Sequence, residues 1–131
     1  MHICAGIDEN ITEDKLKLLI LGGADEFFAG YVHPEWIAKF GFDISINRRY
    51  CKDEQFTNKS KLREVVGIIH SRKCKFFLVL NEHYYNKEQI RIIKKILRGF
   101  IPFKIDAFII ANLQLIPIIK EVIPGSRGNV L

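Results

Sequence analysis

Lys75-Phe76-Phe77-Leu78-Val79-Leu80, followed by Asn81-Glu82-His83 and then Asn86-Lys87-Glu88-Gln89, is the stretch that decides the fold. The run is apolar from Phe76 to Leu80, without the alternation of a strand that has one wet face. Such runs belong to parallel strands covered by helices. Asn86 to Gln89 has the spacing of a capping box, with Asn where Ser or Thr is usual. Ile90, Ile93 and Leu97 then mark the core face of the helix it opens.

The same strand–helix unit recurs on both sides. His2–Ile7 reads as a strand, and Thr12-Glu13-Asp14 opens a helix with Leu16, Leu19 and Ile20 at helical spacing. Gly22-Gly23 stops that helix, and Asp25–Tyr31 reads as the second strand. Asn58 or Ser60 caps a helix in which Leu62, Val65, Val66 and Ile69 follow the apolar pattern. Asp106–Ala111 reads as a fourth buried strand, and a helix from Gln114 to Val122 keeps Pro117 in its first turn before Pro124-Gly125 ends it. Between the second strand and the capped helix lies an irregular stretch, His33 to Thr57. Pro34–Phe40 reads there as a short helix and Phe42–Asn47, with its period of two, as an extended piece.

The fold class expected is α/β, built from parallel β/α repeats in one domain over 1–131. Two architectures fit the pattern: a small open α/β sheet, or part of a (β/α)8 barrel. A whole barrel takes about 250 residues, and the chain has 131. The sheet is expected in the order one-two-three-four, with right-handed crossovers.

Composition narrows the function classes. Hydrophobic residues make up 48% and charged residues 27%, too apolar for a disordered chain. No apolar run approaches the roughly 18 residues of a membrane span. The first ten residues carry acids and no basic n-region, so the expected compartment is the cytoplasm. Twenty Lys and Arg against 15 Asp and Glu give a formal +5. That excess marks a nucleic-acid partner only if it clusters on one face. Cys4, Cys51 and Cys74 have no metal-site or disulfide spacing, so no metal and no cofactor is expected in this chain.

Ligands of parallel β/α folds bind at the carboxyl ends of the strands. Asp8, Glu9 and Asn10 follow the first strand. Tyr31 ends the second, ahead of the loop carrying Asn47, Arg48 and Arg49. Asn81, Glu82 and His83 follow the third, and Asn112 the fourth. Asn47, Arg48, Arg49, Asn81 and Asn112 are the candidate substrate-binding residues, the arginine pair as an anion clamp. Glu82 as general base and His83 as acid–base group are the candidate catalytic residues. The bland readings are a cap for Asp8–Asn10, solvation or local ion pairs for the arginines, and a turn for Asn81–His83.

Several segments resemble one family. Gly23-Ala24-Asp25-Glu26-Phe27-Phe28-Ala29-Gly30 is similar to its early GAD strand, and Ile44-Ser45-Ile46-Asn47-Arg48-Arg49 to the arginine loop that follows. Phe76–Asn81 resembles its strand ending in LN, and Ile105–Asn112 its DA strand. Their order over 3–124 resembles the N-terminal half of the barrel domain of the peptidase U32 family, often labelled collagenase-like. The resemblance implies a TIM-like (β/α)8 barrel in the full-length protein and a protease or collagenase-type hydrolase by family label. This half is expected to have little activity alone. Other branches resemble RNA-base or quinone hydroxylation factors whose iron–sulfur cluster hangs on cysteines absent here, and a non-enzymatic anion- or RNA-binding module is a further alternative. The tail 125–131 departs from the family pattern.

A peptide or RNA is the expected substrate partner, with no membrane. A four-strand half-barrel also leaves two sheet edges and an inner face unpartnered. Phe27, Leu78, Leu80 and Ile109 are expected to line that face, and a homodimer to cover it. The alternative is that Trp36, Phe40 and the long loop close it internally.

Overall fold

The computed structural model describes residues 1–49 and 51–123. Its strands are β1 (Cys4–Gly6), β2 (Glu26–Tyr31), β3 (Gln55–Phe56), β4 (Lys75–Leu80) and β5 (Ala107–Ile110). Its helices are α1 (Glu13–Leu21), α2 (Pro34–Phe40), α3 (Lys59–Ser71), α4 (Lys87–Phe100) and α5 (Leu115–Val122). All pairings are parallel, in the order β1-β2-β4-β5, with β3 paired to the end of β2. The fold is α/β, with the strand order of a partial β/α barrel. The four strands read from the sequence are therefore adjacent in chain order, and β3 is an addition. The helix stop at Pro124-Gly125 and the tail 125–131 lie outside the described residues.

The helix starts follow from their caps. Thr12 Oγ1 accepts the Lys15 N–H at 3.2 Å, and Asn58 Oδ1 accepts the Lys61 N–H at 3.0 Å. At α4 the box is reciprocal: Asn86 Oδ1 takes the Gln89 N–H and Gln89 Oε1 takes the Asn86 N–H, both at 2.8 Å. An asparagine thus does the work of the usual serine. α1 ends at Gly22, and Gly23 follows at φ +105°, where a side chain is strained.

Side chains in register on parallel neighbours share a face of the sheet. Phe27, Phe76, Ala29, Leu78, Leu80 and Phe108 pack with Leu16, Leu62, Val66, Ile93, Leu97 and Ile119 in one core beneath the helices. The opposite face carries Phe28, Phe77 and Ala107 in one row, and Val79 with Ile109 in the next. This corrects the inner-face expectation. Phe27, Leu78 and Leu80 lie in the helix-side core, and of the residues expected only Ile109 lies on the other face. A continuous apolar run hides which alternate set faces which layer.

Phe42–Asn47 is not a strand. It is a series of turns, because side chains bond its backbone where a ladder would. The Trp36 indole N–H donates to the Ile44 carbonyl at 2.7 Å, and the Ser45 hydroxyl donates to the Asn47 carbonyl. Trp36 itself is buried in the helix-side core, with its ring 5.0 Å from that of Phe40. Neither ring is among those on the opposite face, which the long loop instead covers in part, with the Arg49 guanidinium over Phe28, and where Phe77, Val79 and Ala107 are buried. Among the described residues no helix is long and apolar enough to cross a membrane.

Candidate site at the carboxyl rim

The base of the rim is a buried amide pair. Asn47 is 0% exposed and Gln55, on β3, is 4% exposed. Asn47 Nδ2 donates to Gln55 Oε1 at 3.0 Å, and Gln55 Nε2 returns a bond to Asn47 Oδ1 at 2.8 Å. Gln55 Nε2 also donates to the Arg49 carbonyl, and the Arg49 N–H to Asn47 Oδ1 at 2.9 Å. These bonds satisfy amides that would be costly to bury alone. The pair sits over Gly30 of β2, where a Cβ would collide with Asn47 Nδ2 and Gln55 Oε1. The glycine is thus a packing requirement of the amides.

The amide pair fixes the backbone of two arginines that then diverge. Arg49 turns inward. Its Nη2 donates to the Ile7 carbonyl at the end of β1 at 3.2 Å, its Nε donates to the Glu54 carbonyl at 3.1 Å, and its guanidinium lies 5.2 Å from the Phe28 ring centre. Gly6 leaves room for it. Arg49 is therefore a latch between loop and sheet. Arg48 turns outward and is exposed. Its N–H donates to Asn81 Oδ1 at 2.8 Å, and its Nη1 lies 3.4 Å from His83 Nε2.

The loop after β4 completes this wall. The Tyr85 hydroxyl donates to the Ile46 carbonyl at 2.6 Å and accepts the Glu82 N–H at 3.1 Å, tying the two loops together. Burial pushes that phenol well above its ordinary range, so it stays a donor. Glu82 is half-buried, and its Oε1 accepts the His83 N–H at 3.1 Å. His83 is exposed. Asn112, beyond β5, accepts the Gln114 N–H at 3.0 Å and makes no bond to the described residues of the Arg48 loop.

The first strand's acids have structural partners. Asp8 Oδ1 accepts the Asn10 N–H at 2.8 Å. The Glu9 carboxylate accepts the Thr57 N–H at 3.2 Å, the Thr57 hydroxyl at 3.1 Å and the Asn58 N–H at 2.6 Å, joining β1 to the start of α3. Tyr31 is core: it is buried, its ring lies 5.0 Å from Phe100, and burial followed by the Glu9 charge raises its phenol. Arg48, Asn81, Glu82 and His83 thus meet at one place. Asn47 and Arg49 support it from beneath, and Asn112 stands apart.

The thiols do not form a site. Cys4 is exposed on β1, Cys51 is exposed in the loop before β3, and Cys74 is buried before β4. Burial raises the pKa of both Cys4 and Cys74, Asp25 and Glu26 adding to it at Cys4. Both therefore stay protonated and weakly nucleophilic. Three thiols so placed do not fit the four-cysteine set of an iron–sulfur cluster. A donor group missed in the sequence lies where β1 and β2 begin. His2 Nδ1 is 2.8 Å from Asp25 Oδ2 and 3.3 Å from Glu26 Oε1. Asp25 also accepts the Ile3 N–H at 2.8 Å, and the His2 hydrogen bond first, then that one, hold its carboxyl below the usual range. Histidines without metal-ligand spacing gave no sign of it, since its members come from two strands.

Compared with known proteins, residues 12–128 match the family model described as Peptidase family U32. No curated protein and no solved structure matches the chain.

Proposed function

The chain belongs to peptidase family U32, and on that premise we propose that it forms the substrate-holding half of a peptidase-type β/α barrel, gripping a peptide by a carboxylate at the carboxyl rim. The observation that carries this reading is the splitting of the arginine pair. Arg49 is held by carbonyls and by Phe28. Arg48 is anchored by its own backbone yet keeps its guanidinium in solvent beside His83. A guanidinium held this way offers paired N–H donors to a carboxylate with little further ordering.

Hydrolysis would proceed by attack of water on the peptide carbonyl, Glu82 taking the water's proton and an acid returning one to the leaving amine. Glu82 and His83 are the candidates for these roles. Glu82 now accepts its neighbour's backbone N–H, which orients it without engaging both oxygens. Among the described residues no serine or cysteine is hydrogen-bonded to a histidine. Little cleavage by this half alone is therefore expected.

The test compares a short peptide ending in a free carboxylate with its amidated twin. The free acid should bind and the amide should bind weakly or not at all. Loss of a charge-assisted hydrogen bond is worth about 1.5–3 kcal/mol, so Arg48→Gln should weaken binding about tenfold or more. Equal binding of both peptides, or an unaffected Arg48→Gln, sinks the reading. Mass spectrometry of the same mixtures reports cleavage, and Glu82→Gln should abolish whatever is found.

A second reading has its own observation. Lys87, Arg91 and Lys94 line a groove between α4 and α5 together with Tyr85, Ile90 and Gln114. Lys87 and Lys94 along one groove suit a phosphate backbone, Arg91 being paired there with Glu35 and Glu88. Binding of a single-stranded RNA that falls steeply with salt would favour this reading.

A further inference from the structure

His2, Asp25 and Glu26 meet at the amino end of the sheet, the end opposite the rim. His2 precedes β1, and Asp25 and Glu26 open β2. One donor atom from each of the three lies within 4.8 Å of the other two. His2 Nδ1 faces both carboxylates, at 2.8 Å from Asp25 Oδ2 and 3.3 Å from Glu26 Oε1. A single ring N–H serves one oxygen well, so one carboxylate is left poorly partnered. Two carboxylates brought this close also repel unless a cation lies between them.

The local fold holds these oxygens in place. The Ile3 N–H donates to Asp25 Oδ1 at 2.8 Å, which leaves Oδ2 turned toward His2. A bond of this kind to the far side of a ligand is what orients metal-binding side chains. Glu26 stands in register with Cys4 on β1 and with Lys75 on β4, and its side chain is only 18% exposed. Lys75 nevertheless forms no ion pair with it, and among the described residues His2 is its one ion-pair partner. A carboxylate so far out of water is normally fully paired or coordinates a metal.

The donors select the ion. An imidazole nitrogen with two carboxylate oxygens suits zinc, whereas calcium and magnesium prefer oxygen alone. Zinc holds such ligands at about 2.0–2.2 Å, which sets tetrahedral donors about 3.4 Å apart. The separations of 2.8 and 3.3 Å lie close to that. We infer that His2, Asp25 and Glu26 hold one zinc ion, with water in the fourth position. Its ligands come from two segments of chain, so the ion clamps the start of β1 to the start of β2. β1 has most to gain, since it is three residues long and its Cys4 and Gly6 are exposed. The site is independent of whatever the rim holds.

The test titrates zinc into the 131-residue chain carrying Cys4→Ser and Cys51→Ser, so that neither exposed thiol can bind it. Calorimetry should show one ion per chain. Loss of a residue that merely orients a ligand weakens a metal site about 10- to 100-fold, so His2→Ala and Glu26→Gln should each weaken binding about tenfold or more. The His2 side chain is 73% exposed, so its removal leaves the fold intact. At a hundredfold excess over its Kd, zinc should raise the Tm by about 10 °C. At the same zinc concentration that rise should fall by half or more in His2→Ala. Amide exchange at residues 3–7 and 25–28 should slow more than at 81–83. No heat and no Tm shift with millimolar zinc would overturn the inference. So would binding that survives both substitutions, or protection that gathers around His83 rather than at the start of β1 and β2.

Discussion

Asn47→Ala removes three hydrogen bonds, at 3.0, 2.8 and 2.9 Å, from a place water does not reach. Gln55 Nε2 keeps the Arg49 carbonyl, but Gln55 Oε1 loses its donor and the Arg49 N–H its acceptor. An orphaned buried polar group costs about 1–3 kcal/mol, so two incompletely compensated groups cost about 3 kcal/mol in all. A chain of this length has a total stability of about 7–20 kcal/mol at the usual value per residue. Its unfolding entropy is about 0.27 kcal/mol per kelvin, which converts the loss into a fall in Tm of about 11 °C. Circular dichroism melts at neutral pH read this directly. The backbone of Arg48 and Arg49 should loosen as well, so amide exchange at residues 46–49 should accelerate more than in β4. A Tm within about 3 °C of the unmodified chain would mean that the amides are hydrated or repack cheaply, and the reasoning would fail.

Gly30→Ala should be at least as damaging, because its methyl meets two amide atoms that have nowhere to move; a folded, equally stable variant in a melt would contradict the packing. His33 Nδ1 accepts the Glu35 N–H at 3.0 Å at the start of α2. Burial first, then the Lys95 charge, lowers its pKa from the ordinary 6.5. The folded state therefore binds fewer protons, so this stability is present above pH 6.5 and lost as pH falls through the lower folded value. His33→Asn, a cap that does not titrate, should flatten the slope of Tm between neutral and mildly acid pH. Glu88 is held down to about 2 by its hydrogen bond with Arg91, then by that with Lys39. Its contribution is present above the ordinary 4.5 and disappears as pH falls toward 2, so Glu88→Gln should make the Tm less pH-dependent across that window.

The layered order of the fold was legible because its four main strands are mostly apolar runs of three to six residues alternating with helices. Thr12, Asn58 and the Asn86–Gln89 box act through bonds three residues long, which spacing alone reveals. β3 was hidden by its length, two residues, and by the buried glutamine in it. The rim was legible as a place, since strand ends converge, but not in its division of labour. Nothing in Arg48-Arg49 tells which guanidinium goes inward. That depends on Ile7 and Glu54, one of them 42 residues away, and on Phe28. A usable trace existed in Gly6 and Gly30, two glycines inside or beside strands, each making space for a polar group from the long loop. The partner of Asn47, eight residues on, lies in the strand that spacing could not find.

The claim that the rim of Arg48, Asn81 and His83 is where a substrate carboxylate is held is tested most directly by amide chemical shifts during titration with a peptide ending in a free carboxylate. The account predicts saturable shifts gathered at residues 47–49 and 81–83, weaker ones at Asn112, and their disappearance with the amidated peptide or in Arg48→Gln. Shifts that instead follow Lys87, Arg91 and Lys94 along the α4–α5 groove, or none at saturating peptide, would contradict it.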